Sequence, residues 1–319
     1  MSDSTIQIKV TAAKKKTALL RSLPLPLTLT FPPSPPPTVR DVKTAIQQAH
    51  PSLSAVRQKI SLPEAPKALG DESAILFGSA GDAELVLGDL GPQISWRTVF
   101  IVEYAGPLLI HPLVYHYLPQ LIYGAKVEHS ALQKSVYAMV LLHFTKRELE
   151  TLLVHRFSHA TMPLFNIFKN SAHYYILSGA LLAYDLYRPG LSAPAVAGTW
   201  RDNKTMLYAA WAIWTFAQLS NLSTHLTLRA LRPAGTTTRA VPMGYGFSAP
   251  FRLTSPNYFF EILGWGVVFC MSGSLAAGLF LAASGRQMIL WAQKKHAGYK
   301  REFGDKYPRS RKAIFPRIL

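Results

Sequence analysis

Long apolar windows after residue 91 constrain the fold of this chain more than any other feature. A helix needs about 20 apolar residues to span a bilayer. Windows near that length lie at Thr98–Leu118, Leu132–Val154, His173–Tyr187, Met206–Leu226 and Tyr258–Ala283. The shorter apolar run Gln287–Ala292 is interpreted as the end of a further helix. These windows predict an all-α polytopic membrane domain with about six transmembrane helices.

The distribution of charge separates two classes of basic protein. The chain has 34 Lys and Arg against 17 Asp and Glu, a formal net charge of +17, which suggests nucleic acid or an anionic membrane surface as a partner. Residues 1–91 hold 10 basic and 8 acidic residues, whereas residues 285–319 hold 10 and 2. A basic tail behind apolar windows indicates a cytosolic end of a membrane protein. We therefore expect membrane lipids, and no nucleic acid, as partners.

The first 90 residues predict a small α+β domain. Met1–Leu20 has no apolar core of a secretory signal, so this segment is expected to stay in the cytosol. Apolar residues alternate with polar ones in two segments, as in half-buried strands. The alternating residues are Ile6, Ile8 and Val10 in the first segment, and Leu25, Leu27, Leu29 and Phe31 in the second.

A helix and further short strands are expected next in this domain. Thr38 is placed to cap a helix whose inward face carries Val42, Ile46 and Ala49 and which ends near His50-Pro51. Further strands are predicted at Lys59–Leu62, Ala74–Phe77 and Glu84–Leu87. This order of strands and helix resembles the ubiquitin-like β-grasp fold, so residues 1–90 are assigned to a cytosolic ubiquitin-like domain.

Two carboxylates, Glu103 and Glu261, lie inside apolar windows, where an ionisable side chain needs a partner or a function. One interpretation is a carboxylate at the membrane interface paired with a loop arginine. The other is a ligand site, which the spacing around Glu261 favours. Asn257, Glu261 and Trp265 lie at i, i+4 and i+8 and predict a polar stripe on one helix face, with Ser255 as its cap.

The histidines do not predict a metal site. His155 and His159 have the i, i+4 spacing of a ligand pair, but the other histidines are scattered along the chain. The pair is interpreted as an interfacial polar face with Arg156. Neither a Gly-x-Gly-x-x-Gly motif nor a P-loop is present, so no Rossmann or Walker site is predicted.

Five ordered motifs carry a family resemblance. They are Gly91–Pro107 (GPQISWRTVFIVEYAGP), Lys146–His159 (KRELETLLVHRFSH), Leu228–Gly235 (LRALRPAG), Ser255–Glu261 (SPNYFFE) and Lys295–Pro316 (KHAGYKREFGDKYPRSRKAIFP). Together they resemble the enoyl-CoA reductase branch of the steroid 5α-reductase family. The resemblance covers residues 91–319, which are assigned to a membrane catalytic domain with a basic cytosolic tail.

The resemblance implies an oxidoreductase that reduces the 2,3 double bond of a very-long-chain trans-2-enoyl-CoA with NADPH, the last step of fatty acid elongation. It also implies a multi-pass protein of the endoplasmic reticulum membrane with cytosolic termini. Other elongation enzymes, namely the elongase, the ketoacyl reductase and the dehydratase, are the expected protein partners. Two alternatives stay open. One is a steroid or polyprenol reductase of the same family, and the other is a non-catalytic adaptor that uses the ubiquitin-like domain.

The resemblance also assigns catalytic residues. Tyr258 matches the tyrosine acid of the family's Pro-Asn-Tyr motif, and Gln93 and Glu103 match the polar pair of the first membrane segment. On one unbroken helix these two side chains would be about 15 Å apart, so both would not reach one atom. The pair His143-Phe144 departs from the steroid reductases, which carry a catalytic tyrosine after the histidine. This departure argues against a steroid substrate.

The cofactor site is assigned in the same way. Residues that match NADPH-lining positions of the family are Asn221, Arg232, Arg239, Asn257, Glu261, His296 and Tyr299. Arginine suits phosphate because its planar guanidinium donates two parallel hydrogen bonds. His225 stands where the family has an acidic residue. Alternatively, His296 and Tyr299 form, with Phe303, the packing face of a tail helix.

Overall fold

Two compact units make up the chain in the computed structural model, which describes residues 5–70, 82–157, 160–232 and 240–319. One unit is Met1–Trp96 with His159–Asn166, and the other is Arg97–Ser158 with Ile167–Leu319. The first contains the β-sheets and the second is helical. The prediction of a mixed-sheet N-terminal domain followed by a helical region is therefore confirmed.

A four-stranded mixed sheet organises the first unit, in the order β2-β1-β4-β3. Its elements are β1 (Ile6–Ala12), α1 (Ala18–Ser22), β2 (Leu27–Phe31), α2 (Val39–Ala49), β3 (Gln58–Ser61) and β4 (Asp82–Asp89). Strand β1 pairs antiparallel with β2 and parallel with β4, while β3 pairs antiparallel with β4. Two short strands, β5 (Gln93–Ser95) and β6 (Thr161–Pro163), pair antiparallel in a second sheet.

The predicted alternation in β1 is confirmed. Ile8 and Val10 are fully buried, whereas Lys9 between them is exposed, because successive side chains of a strand point to opposite faces. Helix α2 adds Val42 and Ile46 to the same core.

The predicted helix start is also confirmed. The Thr38 hydroxyl accepts a hydrogen bond from the backbone N–H of Asp41 at 3.3 Å, and the Asp41 carboxylate accepts one from the backbone N–H of Thr38 at 2.7 Å. This capping box satisfies two backbone donors at the helix start. Helix α2 ends at Ala49 with His50 as its cap, as expected. The inward orientation predicted for Ala49 is wrong: it is exposed, because the helix ends there at the margin of its buried face.

The strand predictions differ in outcome. Strand β3 begins one residue earlier than the predicted Lys59–Leu62, and Glu84–Leu87 lies inside β4. The predicted strand Ala74–Phe77 lies outside the described residues.

The helices of the second unit follow the apolar windows. They are α3 (Trp96–Pro112), α4 (Pro119–Tyr123), α5 (Ala131–Leu153), α6 (Asn166–Ala172), α7 (Leu182–Leu186), α8 (Ala193–Val196), α9 (Lys204–Ala230), α10 (Pro256–Ser272) and α11 (Leu275–Phe303). Two π-helical segments extend this framework. Leu113–Tyr117 continues α3, and His173–Leu181 joins α6 to α7.

The window Tyr258–Ala283 is not one helix. Helix α10 ends at Ser272, and its cap Gly273 has a left-handed φ of +62°. Glycine adopts this conformation without steric cost, which is why helices end there. The Ser274 hydroxyl then caps α11 by accepting a hydrogen bond from the N–H of Ala277 at 3.1 Å. The run Gln287–Ala292 belongs to the further helix α11, but it is not the end of that helix, which continues to Phe303.

Helix α10 lies between α9 and α11, and α5 packs against α9 and α10. Gly264 of α10 faces α9, where a Cβ atom would lie 2.9 Å from Nε2 of Gln218. The absence of a side chain at this position leaves room for the Gln218 amide.

Two stretches among the described residues have the length and apolar composition to cross a membrane. They are Trp96–Tyr117, with 22 residues, and Leu275–Lys306, with 32 residues. The count of about six spans stays a prediction.

Asp89 fixes the end of β4 in the first unit. Its carboxylate accepts hydrogen bonds from Nε and Nη2 of Arg57 at 3.0 and 2.9 Å and from the Thr17 hydroxyl at 2.7 Å. The N–H of Gly91 adds a fourth at 2.8 Å. Burial opposes ionisation, but these hydrogen bonds outweigh it and hold the pKa of Asp89 below its ordinary value of 3.8.

We expect Asp89→Asn to destabilise the first unit by about 2 kcal/mol at neutral pH, because the amide loses charge-assisted hydrogen bonds. A carboxyl with a lowered folded-state pKa stabilises the protein above its unfolded pKa, and this contribution disappears as the pH falls through the folded pKa. The deficit of the variant should therefore shrink below pH 3.8. Amide hydrogen exchange of β1 and β4 in the full-length chain measures this loss of unfolding free energy. Glu84→Gln, at an exposed position of β4, is the control and should change nothing.

Candidate functional site

A network of polar side chains connects four helices inside the second unit. We call it the polar network, and its members are Tyr104 of α3, His143, Lys146, Arg147 and Glu150 of α5, Gln218, Asn221 and His225 of α9, and Asn257, Glu261 and Trp265 of α10. Each member is buried or half-buried. Polar groups in such surroundings need hydrogen-bond partners from one another.

Helical spacing places these residues together. On α5, His143, Lys146, Arg147 and Glu150 are three or four positions apart and therefore share one face. Gln218, Asn221 and His225 repeat this spacing on α9. On α10 the predicted pair Glu261 and Trp265 is in contact, since Nε1 of Trp265 donates to Oε1 of Glu261 at 3.4 Å.

Glu261 is held from two neighbouring helices. Nε2 of His143 lies 3.1 Å from Oε1 of Glu261, and Nδ2 of Asn221 donates to Oε2 at 3.3 Å. The same Asn221 amide donates to the backbone carbonyl of Asn257 at 2.8 Å. Among the described residues, the Glu261 carboxylate is therefore held by side chains of α5 and α9, and its pairing with a loop arginine stays an untested alternative.

Glu150 is the second anionic centre of the network. Its carboxylate accepts from Nζ of Lys146 at 3.0 Å and from Nη1 of Arg147 at 2.6 Å, and Nδ1 of His225 lies 3.0 Å away. Lys146 also donates to Oδ1 of Asn221 at 2.6 Å. This lysine and asparagine connect the surroundings of Glu150 to those of Glu261.

Arg147 extends the network to α3. Its Nη2 donates to the Tyr104 hydroxyl at 2.9 Å, and its guanidinium lies 5.2 Å from the centre of the same ring. Because the arginine donates to the phenol oxygen, the phenol's own proton remains available for another acceptor. The Tyr104 ring lies 6.2 Å from that of Phe144.

Sequence reasoning did not single out several of these residues. The missed members of the network are Tyr104, Lys146, Arg147, Glu150 and Gln218. The charged residues of α5 lie within the apolar window Leu132–Val154, and their spacing of three and four was a signal for one polar face. Tyr104 gave no signal beyond its position next to Glu103.

Glu103 is buried at the neighbouring position of α3. Its side chain interacts with that of Asn170, while its Oε1 has no hydrogen-bond partner among the described residues. Adjacent residues of a helix point about 100° apart, so Glu103 and Tyr104 face different directions. A buried oxygen without a partner leaves an acceptor for a ligand.

Tyr258 lies in the first turn of α10, next to Asn257. Its ring is half-buried, 6.2 Å from the ring of Trp291 on α11. Arg147 of the polar network interacts with it electrostatically. The predicted acid therefore lies in the field of the network's arginine.

Gln93 belongs to the first unit. It lies in β5, where its Nε2 donates to the carbonyl of Leu90 at 3.0 Å and its Oε1 accepts from the Thr161 hydroxyl at 3.2 Å. The unbroken helix from Gln93 to Glu103 is not observed, because the helix begins at Trp96.

Three of the seven predicted cofactor residues, Asn221, Asn257 and Glu261, meet in the polar network. His296 and Tyr299 lie on α11, where Nδ1 of His296 is 2.6 Å from the Thr254 hydroxyl. The Tyr299 ring lies 5.6 Å from that of Phe303, as the packing alternative predicts.

Only one of the two predicted cofactor arginines, Arg232, is among the described residues. Arg232 follows α9, and its backbone carbonyl accepts a hydrogen bond from Arg156. Arg239 lies outside the described residues.

One trio has the side chains of a metal site. Ligand atoms of Glu150, His155 and His225 lie within 4.8 Å of one another. However, Lys146 and Arg147 already donate to the same Glu150 carboxylate, and two cations at this distance repel a divalent ion. That this protein binds no metal ion therefore stays a prediction.

Comparison with known proteins gives the family. The model of the family described as 3-oxo-5-alpha-steroid 4-dehydrogenase matches residues 160–319. A putative enoyl reductase of Schizosaccharomyces pombe is 44% identical over 84% of this chain and 87% of its own. The very-long-chain enoyl-CoA reductase of Dictyostelium discoideum is 41% identical over 83% and 85%. A probable very-long-chain enoyl-CoA reductase of Caenorhabditis elegans is 40% identical over 88% and 91%. The chain therefore belongs to the 3-oxo-5-alpha-steroid 4-dehydrogenase family, in its group of very-long-chain enoyl-CoA reductases.

Proposed function

We propose that this chain reduces the 2,3 double bond of very-long-chain trans-2-enoyl-CoA with NADPH, the last step of fatty acid elongation. The observation that carries the proposal is identity of 40 to 44% over more than 80% of the chain with relatives named as enoyl reductases. Identity of this extent, over nearly the whole length of both chains, supports a common reaction.

The proposal includes an architecture. Residues 1–90 form a ubiquitin-like β-grasp domain, supported by the parallel pairing of β1 with β4 and the helix packed on their sheet. Residues 91–319 form a membrane catalytic domain of about six spans. Exposed apolar side chains such as Tyr208 and Leu219 on α9 suit contact with lipid. The proposed cellular location is the endoplasmic reticulum membrane. Both termini lie in the cytosol, and other elongation enzymes are the proposed neighbours.

The residues of the polar network fit NADPH. Oδ1 of Asn257 is buried and has no hydrogen-bond partner among the described residues, so it can accept from the carboxamide of a nicotinamide. Asn221 and Glu261 beside it offer further polar atoms, and His296, Tyr299, Arg232 and Arg239 are the other proposed contacts. When bound, NADPH supplies the hydride that the double bond receives at Cβ.

The protein's own part is to place a proton donor. Reduction at Cβ leaves negative charge on the thioester oxygen, so a donor at that oxygen or at Cα lowers the barrier. Tyr258 is the proposed acid, because a phenol stays protonated at neutral pH and can give its proton to the reduced substrate. Glu103 is proposed to orient the substrate or Tyr258, and Gln93 to bind at the mouth of the site.

Phe144 supports the enoyl-CoA substrate over a steroid. It follows His143 on α5 and is fully buried in the core. A phenyl ring there has no proton to give, so this position does not supply the acid that the steroid reductases use.

We expect Tyr258→Phe to lower turnover by at least about 100-fold, the usual contribution of a general acid. The assay follows NADPH consumption by purified protein with a long-chain trans-2-enoyl-CoA, and with a steroid enone in parallel. Tyr208→Phe, on the exposed face of α9, should leave turnover unchanged. Full activity of Tyr258→Phe together with inactive Tyr104→Phe would instead assign the acid to the phenol held by Arg147.

Glu103→Gln should lower turnover by more than about 10-fold while the protein remains folded, because the amide keeps the shape but replaces one of the two carboxyl oxygens by an NH₂ donor. The measurement is the same assay beside thermal unfolding in detergent. A non-catalytic adaptor would tolerate this change and Tyr258→Phe alike. Turnover that is absent in the wild type, or undiminished in both variants, contradicts the proposed function.

Glu150→Gln should destabilise the helical unit by about 3 kcal/mol, because it leaves two half-buried cations without their anion. We also expect weaker NADPH binding, since Lys146 positions Asn221. Thermal unfolding and cofactor titration measure the two effects. Glu148→Gln on the same helix is the control. Equal unfolding temperatures for the two variants would show that the Glu150 ion pairs contribute nothing.

A further inference from the structure

Tyr104 carries the phenol of the polar network, and its oxygen is held from one side. The residue is 3% exposed. Nη2 of Arg147 donates to the phenol oxygen at 2.9 Å, while Nη1 of the same arginine donates to Glu150 at 2.6 Å. The guanidinium is therefore fixed between a carboxylate and the phenol. Because arginine has no acceptor atom, it cannot receive the proton of this hydroxyl.

The hydroxyl proton of Tyr104 is available to a ligand. Among the residues that the structure describes, no oxygen or nitrogen accepts it, since the one hydrogen bond of this hydroxyl is the bond that it accepts from Arg147. Glu103 is next to it on α3 but points about 100° away. A buried donor without an acceptor costs free energy, and a bound carbonyl oxygen would remove that cost.

The surroundings of Tyr104 make it a rigid and strong donor. The rings of Phe100, Phe144 and Tyr174 surround its ring at centroid distances of 5.9, 6.2 and 5.2 Å. These contacts exclude water and fix the direction of the phenol. In such a medium a hydrogen bond is stronger, and the bond that Arg147 donates to the oxygen polarises the O–H group further.

The phenol also lies near the groups proposed for the reaction. Tyr104 interacts electrostatically with Tyr258, the proposed acid, and with Glu261. Asn257, whose buried Oδ1 is the proposed contact of the nicotinamide, precedes Tyr258 in the first turn of α10. Two phenols from different helices, α3 and α10, are therefore close to the proposed place of hydride transfer.

We propose that Tyr104 donates a hydrogen bond to the thioester oxygen of trans-2-enoyl-CoA, while Tyr258 protonates Cα. The inference rests on the proposed function and divides the work between the two phenols. A donor fixed in advance at the oxygen where charge develops stabilises the transition state.

The electrons balance in two steps. A hydride adds to Cβ, the electrons of the 2,3 double bond form a bond between Cα and the carbonyl carbon, and negative charge collects on the thioester oxygen. Tyr104 stabilises this charge and keeps its own proton. Tyr258 then gives its proton to Cα, the carbonyl double bond forms again, and the phenolate of Tyr258 takes a proton from water.

A vibrational measurement tests the contact directly. The ligand is trans-2-hexadecenoyl-CoA with a ¹³C label at the thioester carbonyl, bound to the full-length protein in detergent together with NADP⁺, which has no hydride to transfer. A hydrogen bond lowers the carbonyl stretching frequency in the infrared difference spectrum. Tyr104→Phe should raise the frequency of the bound carbonyl toward its value in an apolar solvent, whereas Tyr258→Phe should leave it at the wild-type value.

Turnover gives a second readout. We expect Tyr104→Phe to lower kcat by about 100-fold, the usual effect of removing one donor from a developing oxyanion. Its dissociation constant for NADP⁺ should stay unchanged, because the proposed cofactor contacts are other residues. Replacing Tyr104 by 3-fluorotyrosine keeps the phenol and the packing. This more acidic phenol is a stronger donor, so it should lower the carbonyl frequency below that of the wild type.

Tyr175→Phe is the matched control. It removes a phenol hydroxyl that donates to the carbonyl of Val102 on the same helix α3 at 3.1 Å. We expect the carbonyl frequency and kcat of this variant to equal those of the wild type, although a hydrogen bond to α3 is lost.

Two results overturn the assignment: a carbonyl frequency that is unchanged in Tyr104→Phe and with 3-fluorotyrosine, or a frequency that rises in Tyr258→Phe alone. The Tyr104 phenol then serves only to hold Arg147. Turnover of trans-2-enoyl-CoA by the wild type separates this failure from that of the proposed function. With turnover present, only the role of Tyr104 is wrong, whereas without turnover the proposed function fails as well.

Discussion

The cost of placing charged groups among apolar helices is the constraint on which the helical unit depends. Glu150 and Glu261 are tolerable inside it only because cations and amides of neighbouring helices surround them. Lys146 donates to both Glu150 and Asn221, so the two carboxylates belong to one network. The positions of α5, α9 and α10 relative to one another are thereby fixed by hydrogen-bond geometry as well as by packing.

What could be predicted from the sequence depends on whether the information lies within one element. The strand alternation of β1 and the Thr38 cap of α2 are local patterns, and both were predicted. Glu261 was also predicted, since a carboxylate in an apolar window is conspicuous by itself. Its partner His143 was not, because no spacing within α10 indicates which residue of α5 will face it.

The same distinction explains the remaining differences in fold. Gly273 divides the window Tyr258–Ala283 between two helices, and the run Ser272-Gly273-Ser274 was a local turn signal that the apolar length of the window outweighed. Gln93 was placed on the helix of Glu103, although the short pairing of β5 with β6 makes it part of a strand. That pairing joins residues far apart in sequence, which a local pattern does not reveal.

The first turn of α10 connects the polar network to the C-terminal segment. The carbonyl of Asn257 accepts from Asn221 of α9, and two residues earlier the N–H of Ser255 donates to Ala313. The basic tail is therefore a structural neighbour of the network and not an appended run of charge. Its cations divide into two kinds. Exposed ones such as Arg309 are stabilised by water, whereas Arg311 is buried against the aromatic rings of Phe247 and Tyr307.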